Sequence, residues 1–213
     1  GKVSPRSTYH DKGKIMVEGW PKPIKNSDFE SHGPHGITTM VDVLAKSLNT
    51  GSIHVMKQVG PETFADYVKK FGFGQKTGIE LETEGASDIR NLKREPIRPV
   101  EAATASFGQG ITATPLQIAT AYSAIANGGI LMKPYLVGKI VSPNDQVQVT
   151  ESQQIRRVIS ERTSMLVSGM MANVVDKGHA KMAGVDGYFV AGKTGTAQVA
   201  STQERGYGDK TIH

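Results

Sequence analysis

Tyr188-Phe-Val-Ala-Gly-Lys193-Thr-Gly-Thr-Ala-Gln-Val199 decides how the rest of the chain is read. Apolar residues lead into Gly192-Lys193-Thr194-Gly195-Thr196, and β-prone residues lead out. A cation, two hydroxyls and two glycines in five consecutive places offer charge, donors and bare backbone N–H groups to an anion. Two chemistries compete for this stretch. Gly187 through Thr194 satisfies G-x-x-x-x-G-K-[ST], the phosphate loop. That motif needs a strand before its first glycine, a pliant loop, and a helix starting at Lys-Thr. Here Ala183-Gly-Val-Asp-Gly187 reads as a turn, Tyr-Phe-Val-Ala is bulky, and Thr196-Ala-Gln-Val carries no helical stripe. The second chemistry is a strand that holds a substrate carboxylate with Lys193, Thr194 and Thr196 beside a serine nucleophile. Gly195 leaves the approach open. A solvated lysine in a Gly-rich hairpin is the plain alternative.

Lys76-Thr77-Gly78 repeats part of the pattern, but Glu80 and Glu82 follow on one face of an expected surface strand and would repel an anion. It lacks the leading Gly and the following Thr. The 213 residues suit one domain or a large piece of one, with a net charge of +5. The basic residues are scattered in pairs such as Lys69-Lys70 and Arg156-Arg157, without the aromatic-laced stripe of a nucleic-acid binder. No cysteine is present, so a disulfide framework and a thiolate metal site are both excluded. No apolar run approaches the length of a membrane span, and no signal peptide is seen. Neither Gly1 nor His213 reads as the natural terminus of a finished domain, so any membrane anchor is expected outside this piece.

Residues 1–36 are rich in Gly, Pro, Lys and Ser and read as irregular. His32-Gly-Pro-His35 has a metal-like spacing, and the Gly-Pro between makes a turn the better reading. Thr38 or Thr39 caps a helix whose stripe is Ile37, Met40, Val41, Leu44, Ala45 and Leu48, and Asn49-Thr-Gly51 breaks it. Ser47-Leu48-Asn49 thus sits at a helix–loop junction, aimed outward; Ser142-Pro143-Asn144 has the same spacing and reads as a β-turn. A short helix with Ile53, Met56 and Val59 on one face follows. The next starts at Pro61, with Phe64, Tyr67, Val68 and Phe71 inward. Residues 73–82 read as extended and 85–100 as loop. Thr114 and Pro115 open a helix with Leu116, Ala119, Tyr122 and Ala126 inward. Ile130 to Val141 and Gln146 to Thr150 read as a hairpin. Ser160 caps a last helix striped by Leu166, Val167, Met170, Met171 and Val174, where the two Met residues are core filler.

These pieces together resemble a known family. Ser47-Leu48-Asn49, followed much later by Lys193-Thr194-Gly195-Thr196, resembles the second and third motifs of the penicillin-binding proteins. Phe71-Gly-Phe-Gly74, Ser106-Phe-Gly-Gln-Gly110, Thr114-Pro-Leu-Gln117 and Ala191-Gly-Lys-Thr-Gly-Thr-Ala-Gln198 resemble the class B peptidoglycan transpeptidases in the same order. The likeness runs from about Trp20 to Gln198. Asn49 in place of aspartate leans towards the cell-division or sporulation type. The family's first motif is Ser-x-x-Lys, and no serine here has Lys three places later. His179 stands where the family often has Thr. Class A β-lactamases share the three motifs but place Lys-Thr-Gly nearer to Ser-x-Asn.

The resemblance implies an α/β (α+β) fold, an antiparallel sheet with helices, incomplete at both ends. It divides residues 1–213 into an irregular lead-in to 36, a mainly helical part over 37–129, and strands and a helix from 130 leading to the Lys-Thr-Gly strand. It implies a serine-type D,D-transpeptidase acting on peptidoglycan stem peptides ending in D-Ala-D-Ala and acylated by β-lactams, with no metal or organic cofactor. Ser47 would relay a proton to the leaving amine, and Asn49 would orient the missing lysine and the substrate amide. Lys193 would attract the substrate carboxylate, with Thr194 and Gly195 beside it, and the Thr196 N–H would be one arm of the oxyanion hole. Without Ser-x-x-Lys, these residues alone are expected to be inactive. Membrane proteins of cell division are candidate partners, and the extracytoplasmic face of the bacterial cytoplasmic membrane is the expected place. A nucleotide-binding protein using Gly187 to Thr194, and a non-catalytic binding module of the same fold, are the rival readings.

Overall fold

The computed structural model describes residues 2–200 and 207–212, the strands at 197–200 and 207–212 by their backbone alone. Gly1 and His213 lie outside the described residues, as do the side chains of Ala197, Gln198 and Val199 in the opening stretch.

The lead-in is not irregular throughout. It holds β1 (Thr8–Asp11), β2 (Lys14–Ile15), β3 (Ile24–Lys25) and the one-turn helix α1 (Phe29–His32). β2 pairs with β3, and β1 pairs with β4 (Gly36–Thr39), Thr8 opposite Thr39 and Asp11 opposite Gly36. Thr-Tyr-His-Asp has no apolar alternation, so the usual strand signal is missing. α2 (Met40–Ala45) is capped by Thr39, whose hydroxyl accepts from the Asp42 N–H while Asp42 accepts from the Thr39 N–H. Met40, Val43 and Ala45 are buried, but Ile37 stands exposed on β4, so the expected stripe spans two elements.

Asn49-Thr-Gly51 does not break a helix; it opens α3 (Asn49–Val59). A Cβ on Gly51 would lie 2.5 Å from a Val43 methyl, so the glycine lets α2 and α3 close on each other. Ile53 and Met56 are buried as expected. α4 (Pro61–Lys70) starts at its proline and buries Ala65, while Tyr67 is 41% exposed rather than inward.

Residues 73–82 form no strand. The Glu84 carboxylate closes the turn instead, accepting from the Thr77 and Gly78 N–H groups at 2.6 and 3.0 Å. After a 3-10 turn at Arg90–Lys93 comes α5 (Pro99–Ala105), which begins inside the expected loop; its inward residues are alanines, too small to make an apolar stripe. α6 (Pro115–Ala126) begins at Thr114 as expected, with Gln117 completing the capping box. Its inward face differs from the expected one: Gln117, Ala121 and Ala124 are buried, while Ala119, Tyr122 and Ala126 are exposed. A polar residue takes the core side because its amide is satisfied there, donating to the Gln75 carbonyl at 2.6 Å and accepting from the Thr114 N–H at 2.9 Å.

The strand expected over 130–141 is two, β5 (Ile130–Met132) and β6 (Lys139–Val141). Pro134, which has no N–H to give a ladder, lies between them. β6 pairs with β7 (Val147–Val149) as the expected hairpin, and β5 pairs with β8 (Gln154–Arg157). α7 (Glu161–Asp176) is capped by Ser160, whose Oγ accepts from the Thr163 N–H at 3.2 Å. A 3-10 turn at Lys181–Ala183 and an irregular stretch lead to β9 (Ala197–Ala200), paired antiparallel with β10 (Tyr207–Ile212). The strand expected through Lys193 therefore begins only at Ala197.

The chain divides into two compact units that interleave along the sequence. The first is Gly1–Ala65, Asn91–Ile111 and Leu166–His213; the second is Asp66–Arg90 and Thr112–Met165. One core of the first unit gathers Val17, Ile24, Ile53, Met56, Ala102 and Ala103, and another gathers Met40, Val43 and Leu48. Ala124, Leu131 and Val158 form the core of the second. Among the described residues no helix is long and apolar enough to cross a membrane.

Candidate active site

Ser47 stands in the turn between α2 and α3, with φ at 56°, a left-handed conformation that a non-glycine residue adopts only when its surroundings hold it. Leu48 does the holding. It is 1% exposed, packs with Met40 and Val43, and its N–H donates to the Val43 carbonyl at 2.9 Å. Burying Leu48 turns Ser47 outward. Facing it in the same unit, Lys193 Nζ donates to Ser47 Oγ at 2.8 Å, and to the Thr194 carbonyl and Thr194 Oγ1 at 3.1 Å each.

Lys193 is half-buried, and burial lowers its pKa from the ordinary lysine value. It donates to neutral oxygens, which solvate an ammonium without cancelling its charge. Such a group can attract a carboxylate and hand a proton through the Ser47 hydroxyl. Thr194, Gly195 and Thr196 are exposed in the segment before β9. Asn49 is the first residue of α3, and its amide donates to the Lys25 carbonyl at 2.9 Å rather than to Ser47 or Lys193. The second Lys-Thr-Gly belongs to the other unit, and Lys76 there is exposed. No helix begins at Lys193 and no strand precedes Gly187, so the phosphate loop lacks both of its flanking elements.

Beneath the Ser47 turn lies a polar network that the sequence reading missed. Asp11 is fully buried and accepts from Tyr9 OH at 3.2 Å, the Gly13 N–H at 3.1 Å, the His35 N–H at 3.0 Å, Asn26 Nδ2 at 3.2 Å and Thr50 Oγ1 at 2.6 Å. Burial pushes its pKa up, but the hydrogen bonds from Thr50, His35, Gly13 and Asn26 outweigh it and hold the carboxyl below the usual range. The Tyr9 phenol is pushed up to about 12 by burial and by the Asp11 charge. α3 has no capping side chain at Leu48, and Asn26 Oδ1 supplies the missing acceptor to the Thr50 N–H at 3.0 Å. Asp11-Lys-Gly13 was the legible part, since a carboxylate accepting from the N–H two residues on is an Asx-turn. Apart from Tyr9, the rest depends on contacts between residues 15 to 39 positions apart.

The metal-like His32 and His35 stack, with ring centroids 4.0 Å apart, and His35 Nε2 meets Asp28 Oδ2 at 2.9 Å. Among the described residues no group of three His, Asp or Glu side chains is placed to hold a metal.

The family model for the penicillin binding protein transpeptidase domain matches residues 1–213. The chain is 39% identical over 200 residues to stage V sporulation protein D of Bacillus subtilis, covering 91% of this chain and 29% of that protein. It is 34% identical over 208 residues to penicillin-binding protein PbpB of Mycobacterium tuberculosis, covering 93% and 29%. Crystal structures of penicillin binding protein 3 from Mycobacterium tuberculosis, apo and complexed with aztreonam or ampicillin, superpose with a TM-score of 0.86 at 32% identity, covering 97% of this chain and 46% of theirs. The chain thus spans less than a third of the length of these curated relatives.

Proposed function

The chain belongs to the penicillin-binding protein transpeptidase family, and from that premise we propose that it is part of a peptidoglycan D,D-transpeptidase of the cell-division or sporulation type. The observation that carries this reading is the 2.8 Å contact between the half-buried Lys193 ammonium and Ser47 Oγ, bridging 146 positions. The reaction is acyl transfer from a stem peptide ending in D-Ala-D-Ala. A serine of a Ser-x-x-Lys motif attacks the penultimate carbonyl, terminal D-Ala leaves, and an amine of a neighbouring stem takes the acyl group.

In this chemistry Lys193, with Thr194, holds the terminal carboxylate, and Ser47 passes a proton to the departing amine. The Thr196 N–H donates to the developing oxyanion, a contact worth about 10²–10³ in rate. Gly195 leaves room for the substrate backbone. Asn49 follows Ser47 by two positions, and its amide turns from the Lys25 carbonyl to the peptide when substrate arrives. β-Lactams enter the same site as acylating mimics; the structural relatives with aztreonam and ampicillin support this. The protein works at the extracytoplasmic face of the bacterial cytoplasmic membrane, anchored by a segment outside these residues, with membrane proteins of division as partners.

An N-acyl-D-Ala-D-Ala peptide titrated into the chain tests this by backbone amide resonances. Shifts should cluster at Ser47, Lys193, Thr194 and Thr196. Lys193→Ala should weaken them about 10–100-fold, the loss of one charged hydrogen bond of about 1.5–3 kcal/mol. Absence of shifts at millimolar peptide would overturn the reading. A fluorescent penicillin should leave no band on these 213 residues in a denaturing gel, because none of their serines has Lys three places on; a labelled band would place the nucleophile elsewhere.

A further inference from the structure

Helix α7 touches both halves of the site. Met170 packs against the cluster of Met40, Val43 and Leu48 that seats the Ser47 turn. At the next residue, the Met171 carbonyl accepts from the Gly192 N–H at 3.3 Å, immediately before Lys193. Past the helix end, the His179 N–H donates to the Ala45 carbonyl at 3.3 Å, two positions before Ser47. Gly178 lies at that last contact. A Cβ there would stand 2.6 Å from the Ala45 oxygen and 2.7 Å from the Val174 oxygen, closer than a carbon can approach. Its φ is outside the left-handed region, so space rather than backbone conformation keeps a side chain out.

We propose that Gly178 is a positioning residue: by admitting the C-terminal carbonyl of α2 directly onto α7, it fixes the distance between Ser47 and Lys193. The helix is then the spacer between the two. It holds the Lys193 segment through Met171 and the Ser47 turn through Met170, Gly178 and His179. This rests on reading Ser47 and Lys193 as the substrate-facing pair.

The test is the pH profile of Lys193 acetylation by limiting acetic anhydride, read by mass spectrometry on the wild-type chain, Gly178→Ala, Met170→Ala and Gly184→Ala. Burial keeps the Lys193 midpoint below the ordinary lysine value. Gly178→Ala prises the α2 end from α7 and admits water, so the midpoint should move up towards about 10.4. Met170→Ala removes the strut against Leu48 and should move it the same way. Gly184→Ala crowds only the Lys181 carbonyl, at 3.2 Å, and should leave it in place. An unchanged midpoint in folded Gly178→Ala overturns the proposal, as does an equal rise in Gly184→Ala. Where Gly178→Ala does not fold, an unchanged midpoint in Met170→Ala overturns it. The readout is amine chemistry, so failure here leaves the peptide titration standing, and failure of that titration leaves this result intact.

Discussion

Replacing Asp11 by Ala strands donors rather than merely deleting bonds. Thr50 Oγ1 keeps an alternative in Asn26 Oδ1 at 3.0 Å, and Tyr9 OH keeps Thr50 Oγ1 at 3.2 Å. The Gly13 N–H, the His35 N–H and Asn26 Nδ2 donate to Asp11 itself. Three stranded donors at about 1–3 kcal/mol each, reduced by entering water, give a loss of about 3–5 kcal/mol. That is a large share of the ~5–15 kcal/mol that holds a domain folded. Asp11→Asn is gentler. Oδ1 takes Tyr9, Gly13, Asn26 and Thr50, and an amide oxygen there preserves them. The Oδ2 side, which serves His35 and Asn26, becomes a donor, at a cost of about 1–3 kcal/mol.

Trp20 packs against the first unit's core and is the chain's single tryptophan, so its fluorescence in urea reports this unit. With a slope of ~2 kcal/mol per molar, Asp11→Ala should lower the midpoint by about 2 M. The pH dependence has a definite sign. The folded-state pKa of Asp11 is depressed, so its contribution is full above the unfolded carboxylate value of about 3.9 and is lost as pH falls through the lower folded value. Wild type should lose stability across that acid window, and Asp11→Asn should lack that part of the loss. A midpoint change worth less than ~1 kcal/mol in Asp11→Ala, or parallel acid profiles, would refute the reasoning.

Gln117→Ala should destabilise the second unit by about 2–4 kcal/mol, because it leaves the Gln75 carbonyl and the Thr114 N–H without this partner; hydrogen exchange of α6 amides checks it, and an unchanged rate counts against it. Thr39→Ala removes the capping box of α2 and should cost about 1 kcal/mol by thermal unfolding, far less than Asp11→Ala. Mg-ATP should give neither saturable binding nor a thermal shift, since no helix starts at Lys193; micromolar affinity abolished by Lys193→Ala would reverse that.

Helix starts were legible where a helix carries its own cap or proline, as at Thr39, Pro61, Thr114 and Ser160. The start of α3 was not, because its acceptor is Asn26, 24 positions upstream. The face of α6 was misread for a related reason: a glutamine fits the core only if two backbone groups await its amide, and the chain's own order does not reveal them. Ser47 and Lys193 were legible as a pair by residue type and company. The strand expected through Lys193 does not reach it, since strands exist by pairing, and β10 meets β9 only as far as Ala197. The buried carboxylate of Asp11 stayed hidden because composition made its surroundings look like loop.

The interleaving of the two units has a consequence during synthesis. Every residue of the second unit, through Met165, leaves the ribosome before the first unit's last stretch begins at Leu166. Ser47 precedes Lys193 by 146 positions, roughly 7–30 s of translation at about 5–20 residues per second. For most of that interval, until Met170 is made, the apolar nest around Leu48 exists without it. A contact so distant in sequence forms late and slowly, and until it forms the Leu48 nest leaves apolar surface uncovered on the nascent chain.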